Sequence, residues 1–359
     1  MNLNINKNEP VMVTGATGFV ASWLVKKLMD NGITVHAAVR NPDDTIKLAH
    51  LKNLENSSSG KIIFFKSDLL VEGSYLKAME GCSVVFHTAS PFNFKVTDSQ
   101  RGFVDPALKG TRNVLDSVNK TESVKRVVLT SSCVAIVGDT IEIAKYPDKT
   151  ITEDMWNTTS TVNNNPYGYS KTIAEKLAWE MNEKQEKWKL VVINPSFVMG
   201  PTLSKTSTSG THGMIGQIAD GTMKSGAPPF EIGMVDVKDV VEAHFNAAYL
   251  EDASGRHILS NKTLSMVDLA NIIRNKFGNE WLLPKKAAPK WLIWLIGPII
   301  DKSISRKMIS NNMGHPWLAN NSKSINKLGI KYTALENCIE NMFQQMIDNG
   351  IAKKNNKKI

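Results

Sequence analysis

Short apolar runs alternate with helical patterns over the first half of this chain. The runs are Val11–Thr14, Ile33–Arg40, Ile62–Phe65, Val84–Thr88, Val127–Ser131 and Leu190–Asn194. None keeps a polar face, which predicts strands covered on both sides by helices. Between the first two runs, Val20, Leu24, Val25 and Leu28 recur at helical spacing. That helix, Phe19–Met29, ends at the glycine stop Asp30-Asn31-Gly32. Leu108, Val114, Leu115 and Val118 predict another helix, with Asp105-Pro106 as its cap-plus-proline start. Strand–helix alternation on this scale predicts an α/β fold built on a doubly wound parallel sheet.

After Pro195 the pattern loosens. Ser204–Gly213 is rich in Ser, Thr and Gly and reads as a loop. Regular structure returns at Val235–His244, Arg256–Ser260 and Met266–Phe277, and the remainder predicts a smaller, mostly helical lobe. There is no internal repeat. The longest apolar stretch, Trp291–Ile300, contains Gly297 and Pro298. It is too short to span a bilayer, which takes roughly 20 apolar residues. It is a candidate for peripheral membrane contact. The preferred reading is a buried helix of the C-terminal lobe or a dimer face, because no basic amphipathic stripe accompanies it. A monomer and a homodimer both fit.

The 359 residues are 42% hydrophobic and 21% charged, an ordinary globular composition. The net charge is +9; four of those charges are Lys353, Lys354, Lys357 and Lys358, so the body carries +5. That suits an anionic small ligand without calling for nucleic acid. Cys82, Cys133 and Cys338 are widely spaced and predict reduced thiols in a cytoplasmic protein. The N-terminus lacks a charged-then-apolar pattern, so no signal peptide is expected. His36, His244 and His257 have no ligand spacing, so no metal is expected. His87, after an apolar strand, reads as a core histidine.

Chemistry concentrates at three places. The first is Gly15-Ala16-Thr17-Gly18-Phe19-Val20-Ala21, between the first strand and the first helix. Gly15 permits a tight turn, and Gly18 lets backbone approach a pyrophosphate at the helix N-terminus. A small residue at Ala21 lets helix and strand pack closely. At the end of the second strand, where NAD-preferring sites place a carboxylate, stands Arg40. Its guanidinium suits a 2′-phosphate, with Lys47 in reach, so NADP(H) is the expected cofactor. Asp43 and Asp44 follow closely and argue the other way.

The second place is Tyr167-Gly-Tyr-Ser-Lys171, whose tyrosine and lysine sit one helical turn apart. A free phenol titrates near 10, and a neighbouring ammonium is expected to lower that value and let Tyr167 exchange a proton with a carbonyl oxygen. The third is the strand end Thr130-Ser131-Ser132. A serine here lines the ligand crevice and can hold the reacting oxygen. Chemistry alone leaves Ser131 and Ser132 both open.

Taken together, these segments resemble the cofactor loop and Ser-Tyr-Lys triad of extended short-chain dehydrogenases. The likeness runs over most of the chain, densest from about residue 10 to 245. Finer motifs resemble the dihydroflavonol reductase, cinnamoyl-CoA reductase and methylglyoxal or aldehyde reductase subgroup. They are Val39-Arg40-Asn41-Pro42, Ser67-Asp68-Leu69, Phe86-His87-Thr88-Ala89-Ser90-Pro91, Gly110-Thr111-Arg112-Asn113-Val114-Leu115, Thr130-Ser131-Ser132, Glu153-Asp154-Met155-Trp156 and Ala174-Glu175-Lys176-Leu177-Ala178-Trp179. Asn194-Pro195 and Val237-Lys238-Asp239-Val240 also fit.

The resemblance implies a Rossmann-type NADP(H)-binding domain over residues 1–200, with a returning segment near 235–262. A substrate lobe over 201–234 and 263–350 and a basic tail at 351–359 would complete the chain. It implies Ser132 as the triad serine, Asp68 and Leu69 against the adenine, Thr88, Ala89 and Ser90 along the middle of the cofactor, and Pro195 to Val198 at the nicotinamide. The segment 138–165, with Asn163-Asn164-Asn165, and the loop Ser204–Gly213 would border the substrate. The implied reaction is reduction of an aldehyde or ketone: Ser132 orients the oxygen, Tyr167 protonates it, and Lys171 tunes the tyrosine and holds the nicotinamide ribose. Two departures stand out. Ala21 replaces the third glycine of plant dihydroflavonol reductases but matches the aldehyde-reductase branch, and Ala107 stands where some relatives keep a relay asparagine. Rival readings are a nucleotide-sugar epimerase or dehydratase, a hydroxysteroid or sterol dehydrogenase at a membrane, and a non-catalytic NADP(H) sensor.

Overall fold

The computed structural model describes residues 5–90, 98–204, 210–300 and 304–352. Pro91, residues 205–209 of the Ser/Thr/Gly-rich loop and the four tail lysines lie outside the described residues. The strands are β1 (Val11–Thr14), β2 (Val35–Val39), β3 (Ile62–Lys66), β4 (Val84–His87), β5 (Arg126–Thr130), β6 (Lys189–Pro195), β7 (Phe197–Met199), β8 (Glu231–Asp236), β9 (Gly255–Leu259) and β10 (Lys262–Ser265). The helices are α1 (Phe19–Asp30), α2 (Thr45–Lys52), α3 (Leu76–Met79), α4 (Asp105–Asn119), α5 (Pro166–Glu183) and α6 (Gly210–Ala219). They continue with α7 (Val237–Tyr249), α8 (Met266–Phe277), α9 (Lys290–Ile300), α10 (Arg306–Asn312), α11 (Ser322–Leu328) and α12 (Leu335–Asp348).

Seven strands form one parallel sheet in the order β3-β2-β1-β4-β5-β6-β9. All of β1, β2 and β4 is buried, as their unbroken apolar runs require. Alternate residues serve opposite faces. Val11 and Val13 pack with Leu24 and Val25 of α1 and Val240 of α7. Met12, between them, packs with Val114 and Leu115 of α4 and Leu177 of α5. Each such side chain, fully buried, stabilises the fold by roughly 1.5–3 kcal/mol. The chain leaves β1 toward β2 and β3, then returns to β4 on β1's other side. Strand order therefore reverses between β1 and β4, and their carboxyl ends open the ligand crevice of a doubly wound sheet.

The C-terminal lobe holds α6, α8 and α12 around Ile215, Leu269, Ile273, Met342 and Phe343. It also contains a second sheet, β10-β8-β7, that a mostly helical lobe did not include. Strands of three and four residues are too short to show alternation in sequence. Two local expectations need correction. Asp105 does not cap α4: Val104 holds that place in helical geometry, and the π-turn Gln100–Val104 runs straight into the helix. Nor is α9 a buried helix of the lobe, because Trp291, Leu295 and Ile299 are 68%, 50% and 79% exposed. Among the described residues no helix is long and apolar enough to cross a membrane.

Candidate active site

The glycine turn is built for close approach. Gly15 has φ +61°, a left-handed value that favours glycine. A Cβ there would stand 3.0 Å from the Ala89 Cβ. Gly18 caps α1 without a side chain, and its N–H donates to the Gly15 carbonyl at 2.8 Å. The first N–H groups of α1 have no partners within the helix and carry its positive end. This bare helix N-terminus fits a dinucleotide pyrophosphate. Thr14 ties the two strand ends together: its hydroxyl accepts from Thr88 N–H at 3.1 Å and Ala89 N–H at 2.9 Å. That leaves its proton for His87 Nδ1 at 3.1 Å. His87 is buried, and desolvation followed by the nearby Lys171 charge pushes it down to about 3, so it is a neutral core imidazole.

Arg40 is exposed just past β2, and among the described residues it has no ion-pair partner. Lys47 pairs with Asp44 at 3.5 Å, and Asp44 also caps α2 by accepting the Lys47 N–H at 3.0 Å. That backbone bond, first, holds the Asp44 carboxyl below its usual range. Asp44 is thus engaged locally, and Arg40 keeps its guanidinium available. Asp68 and Leu69 sit on a loop pinned by Asn113, whose amide donates to the Leu69 and Val71 carbonyls at 3.1 and 2.7 Å. Gly110 lets Leu69 lie against α4; a Cβ there would meet Leu69 Cδ2 at 3.0 Å.

Tyr167 lies in the first turn of α5. Asn165, itself left-handed at φ 56°, caps that turn by accepting the Gly168 N–H at 3.0 Å, and Pro166 presets the next residue. Tyr167, Lys171 and Glu175 follow at one-turn intervals on one face. The two serines separate cleanly. Ser131 hydroxyl donates to Glu175 Oε2. Ser132 hydroxyl is hydrogen-bonded to the Tyr167 phenol and lies 3.4 Å from the Pro195 carbonyl. Lys171 Nζ donates to the Thr130 carbonyl at 3.3 Å. Thr130 is held in turn by His244, whose Nε2 lies 2.7 Å from the threonine hydroxyl while Nδ1 donates to the Val240 carbonyl.

The electrostatics differ from the sequence expectation in one respect. Burial pushes the Tyr167 phenol up to about 12, against the lowering effect of its Ser132 hydrogen bond. Lys171 does not acidify it, because the ammonium is directed at the Thr130 carbonyl. Burial lowers Lys171 itself to about 8, and the Glu175 carboxylate opposes that lowering.

Behind these groups lies a buried network to which sequence reasoning gave no role. Glu175 Oε1 accepts from Arg256 Nε at 2.6 Å, and Oε2 accepts from the Asn194 amide at 2.9 Å. Asn194 also donates to the Ser132 carbonyl at 3.3 Å. Arg256 reaches the Glu153 and Met155 carbonyls and stacks 3.9 Å above the Trp156 ring. The conspicuous signal was Arg256, a lone cation opening an apolar strand. A small cleft opens at the ends of β4 and β5. It brings Leu69, Ala89, Ser90 and Lys171 together with Ser131 and Glu175. Ser132, Tyr167, Gly15, Arg40 and Pro195 do not line it.

Comparison with known proteins places this chain among relatives. Residues 11–259 match the model described as the NAD dependent epimerase/dehydratase family. The chain is 39% identical over 289 residues to cinnamoyl-CoA reductase CAD2 of Medicago truncatula, covering 79% of this chain and 85% of that one. It is 39% identical over 272 residues to tetraketide alpha-pyrone reductase 2 of Arabidopsis thaliana, covering 75% and 83%. Among solved structures, Gre2 of Candida albicans in complex with NADPH superposes with TM-score 0.73 at 30% identity, covering 95% of this chain and 99% of the other.

Proposed function

The chain belongs to the NAD-dependent epimerase/dehydratase family, the extended short-chain dehydrogenases, and on that premise we propose that it is an NADPH-dependent reductase of an aldehyde or ketone carbonyl. The observation that carries this reading is the Ser132–Tyr167 hydrogen bond, one helical turn from a buried lysine. Gly15, Thr17, Gly18, Phe19 and Val20 would hold the pyrophosphate, and Arg40 with Lys47 the 2′-phosphate. Asp68 and Leu69 would take the adenine, Thr88, Ala89 and Ser90 the middle, and Pro195 to Val198 the nicotinamide end. Residues 1–200 with the return near 235–262 form the nucleotide unit in this reading, and 201–234 with 263–350 form the substrate lobe.

Bound NADPH supplies the hydride. The chain's own residues manage the oxygen. Ser132 holds the carbonyl oxygen beside the phenol. Tyr167, protonated throughout the neutral range with its value near 12, gives that oxygen its proton. Lys171, charged below about 8 and anchored on the Thr130 carbonyl, would help hold the ribose. The Glu175 network fixes the backbone that presents Ser132. The exposed, unpaired Arg40 and the reductases among the relatives support this reading over an epimerase. The test is a panel of aldehydes and ketones followed by loss of reduced-nicotinamide absorbance, with NADPH beside NADH. Oxidation of NADPH in preference to NADH is expected. No turnover across the panel, with NADPH bound, would favour a sensor.

A further inference from the structure

Among the described residues the most exposed apolar surface is α9, whose outward stripe breaks the usual pattern of a surface helix. Trp291, Trp294, Leu295, Pro298 and Ile299 fall at i, i+3, i+4, i+7 and i+8, which is one helix face. That face points to solvent: Ile299 and Trp291 are its most open members, Trp294 and Leu295 are exposed too, and Ile300 at the helix end is exposed beside them. The opposite face does the packing. Gly297 is buried, and a Cβ there would lie 3.4 Å from Ile293 and from Ile309 of α10. The helix is thus held by its small-residue side and presents its large apolar side outward.

Cations outnumber carboxylates around this stripe; Glu280 and Asp301 are the acidic residues that bound it in sequence. Residues 281–300 and 304–315 contain Lys285, Lys286, Lys290, Arg306 and Lys307 and no Asp or Glu. Among the described residues none of these five cations forms an ion pair with a carboxylate. Arg306 lies 4.7 Å over the Trp294 ring, and Lys290 reaches the Ser310 carbonyl at 3.1 Å, so both stay at the border of the stripe. We infer that α9 is a peripheral membrane anchor, lying flat on an anionic lipid surface with its stripe among the acyl chains and its lysines and arginines at the headgroups.

Three physical points select lipid over a protein partner. Two tryptophans on an apolar helix face match the amphipathic zone between headgroup and chain. Unpaired cations around the stripe match an anionic surface, where each contributes about fivefold to binding. A second copy of the chain, docked by two-fold symmetry, would bring the same cations against one another. The eleven-residue helix is too short to cross a bilayer but long enough to lie in its surface. Its place in the fold is secured, because Asn311 and Asn312 of α10 hold Asp139 at 2.8 and 2.9 Å. This inference does not depend on the catalytic reading.

The experiment is flotation of the full chain with phosphatidylcholine vesicles, with and without phosphatidylserine. Wild type should float with the anionic vesicles and stay behind with the neutral ones. Trp291→Glu/Ile299→Glu should abolish flotation, and Lys285→Glu/Lys286→Glu/Lys307→Glu should weaken it by roughly two orders of magnitude or more at fivefold per charge. Circular dichroism and NADPH binding report that both variants remain folded. The inference fails if wild type ignores both vesicle types, or if the apolar variant floats as well as wild type. It also fails if light scattering shows a wild-type dimer that Trp291→Glu/Ile299→Glu converts to a monomer, which would make this face a dimer contact.

Discussion

Replacing Glu175 by leucine removes the acceptor on which three separate elements converge. The carboxylate has no exposed surface and pairs with Arg256 at 2.6 Å while receiving Asn194 and Ser131. Breaking a buried pair by deleting one partner costs about 3–5 kcal/mol, because the remaining charge is stranded. Arg256 keeps the Glu153 and Met155 carbonyls and the Trp156 ring, which places the expected loss toward the lower figure. With about 2.1 cal/mol/K of unfolding entropy per residue, 359 residues give about 0.75 kcal/mol/K, so the midpoint should fall by about 4–7 °C. Glu175→Leu/Arg256→Met removes both charges and should be less destabilised than Glu175→Leu alone. Thermal and urea unfolding of the four proteins of this cycle provide the assay. Activity offers a second readout. Burial holds Lys171 down and Glu175 opposes it, so Glu175→Leu should move the high-pH limb of turnover to lower pH. A loss below about 1 kcal/mol for Glu175→Leu, or a double variant as unstable as the sum of the singles, would refute this account of the network.

Two other expectations follow from the charges of Arg40 and Lys171. Arg40→Ala should raise the Kd for NADPH about 10- to 100-fold, the worth of a charge-assisted hydrogen bond, and leave NADH nearly unchanged; titration of both nucleotides by fluorescence checks it. Lys171 is held at about 8 against an ordinary 10.5, so between those values the unfolded chain binds more protons than the folded one. That group's contribution to stability therefore rises as pH climbs from about 8 toward 10.5, and below 8 it is a constant penalty. Lys171→Met should raise the melting temperature at pH 7 while stopping turnover, and a lower melting temperature would mean that its Thr130 hydrogen bond outweighs desolvation.

The parallel sheet was legible because β1, β2, β4 and nearly all of β6 are buried on both faces and so read as unbroken apolar runs, while the edge strand β3, with Ile63 exposed, is apolar without being covered on both sides. The glycine turn was legible for a similar reason, since φ and close contact at Gly15 restrict the residue type. The small sheet was not, because β7 and β10 are shorter than the period that would reveal them. Ser131 and Ser132 could not be told apart, because neighbouring side chains on a strand end point to opposite sides and only the partner of each decides its role. Glu175 and Arg256 lie far apart in sequence, and no local rule pairs them. α9 was misread in its exposure: a helix this apolar is ordinarily buried, and its cations flank the stripe instead of forming one.

The measurement that bears most directly on the whole account is turnover and NADPH affinity of Tyr167→Phe, taken on one preparation. The ring and its packing remain, and only the hydroxyl bound to Ser132 is lost. Turnover should fall by about 10²- to 10⁴-fold, the usual worth of a positioned proton donor, with NADPH affinity within about twofold of wild type. Turnover that survives the change, or loss of NADPH binding in step with loss of turnover, would contradict the assignment of this phenol as the proton donor.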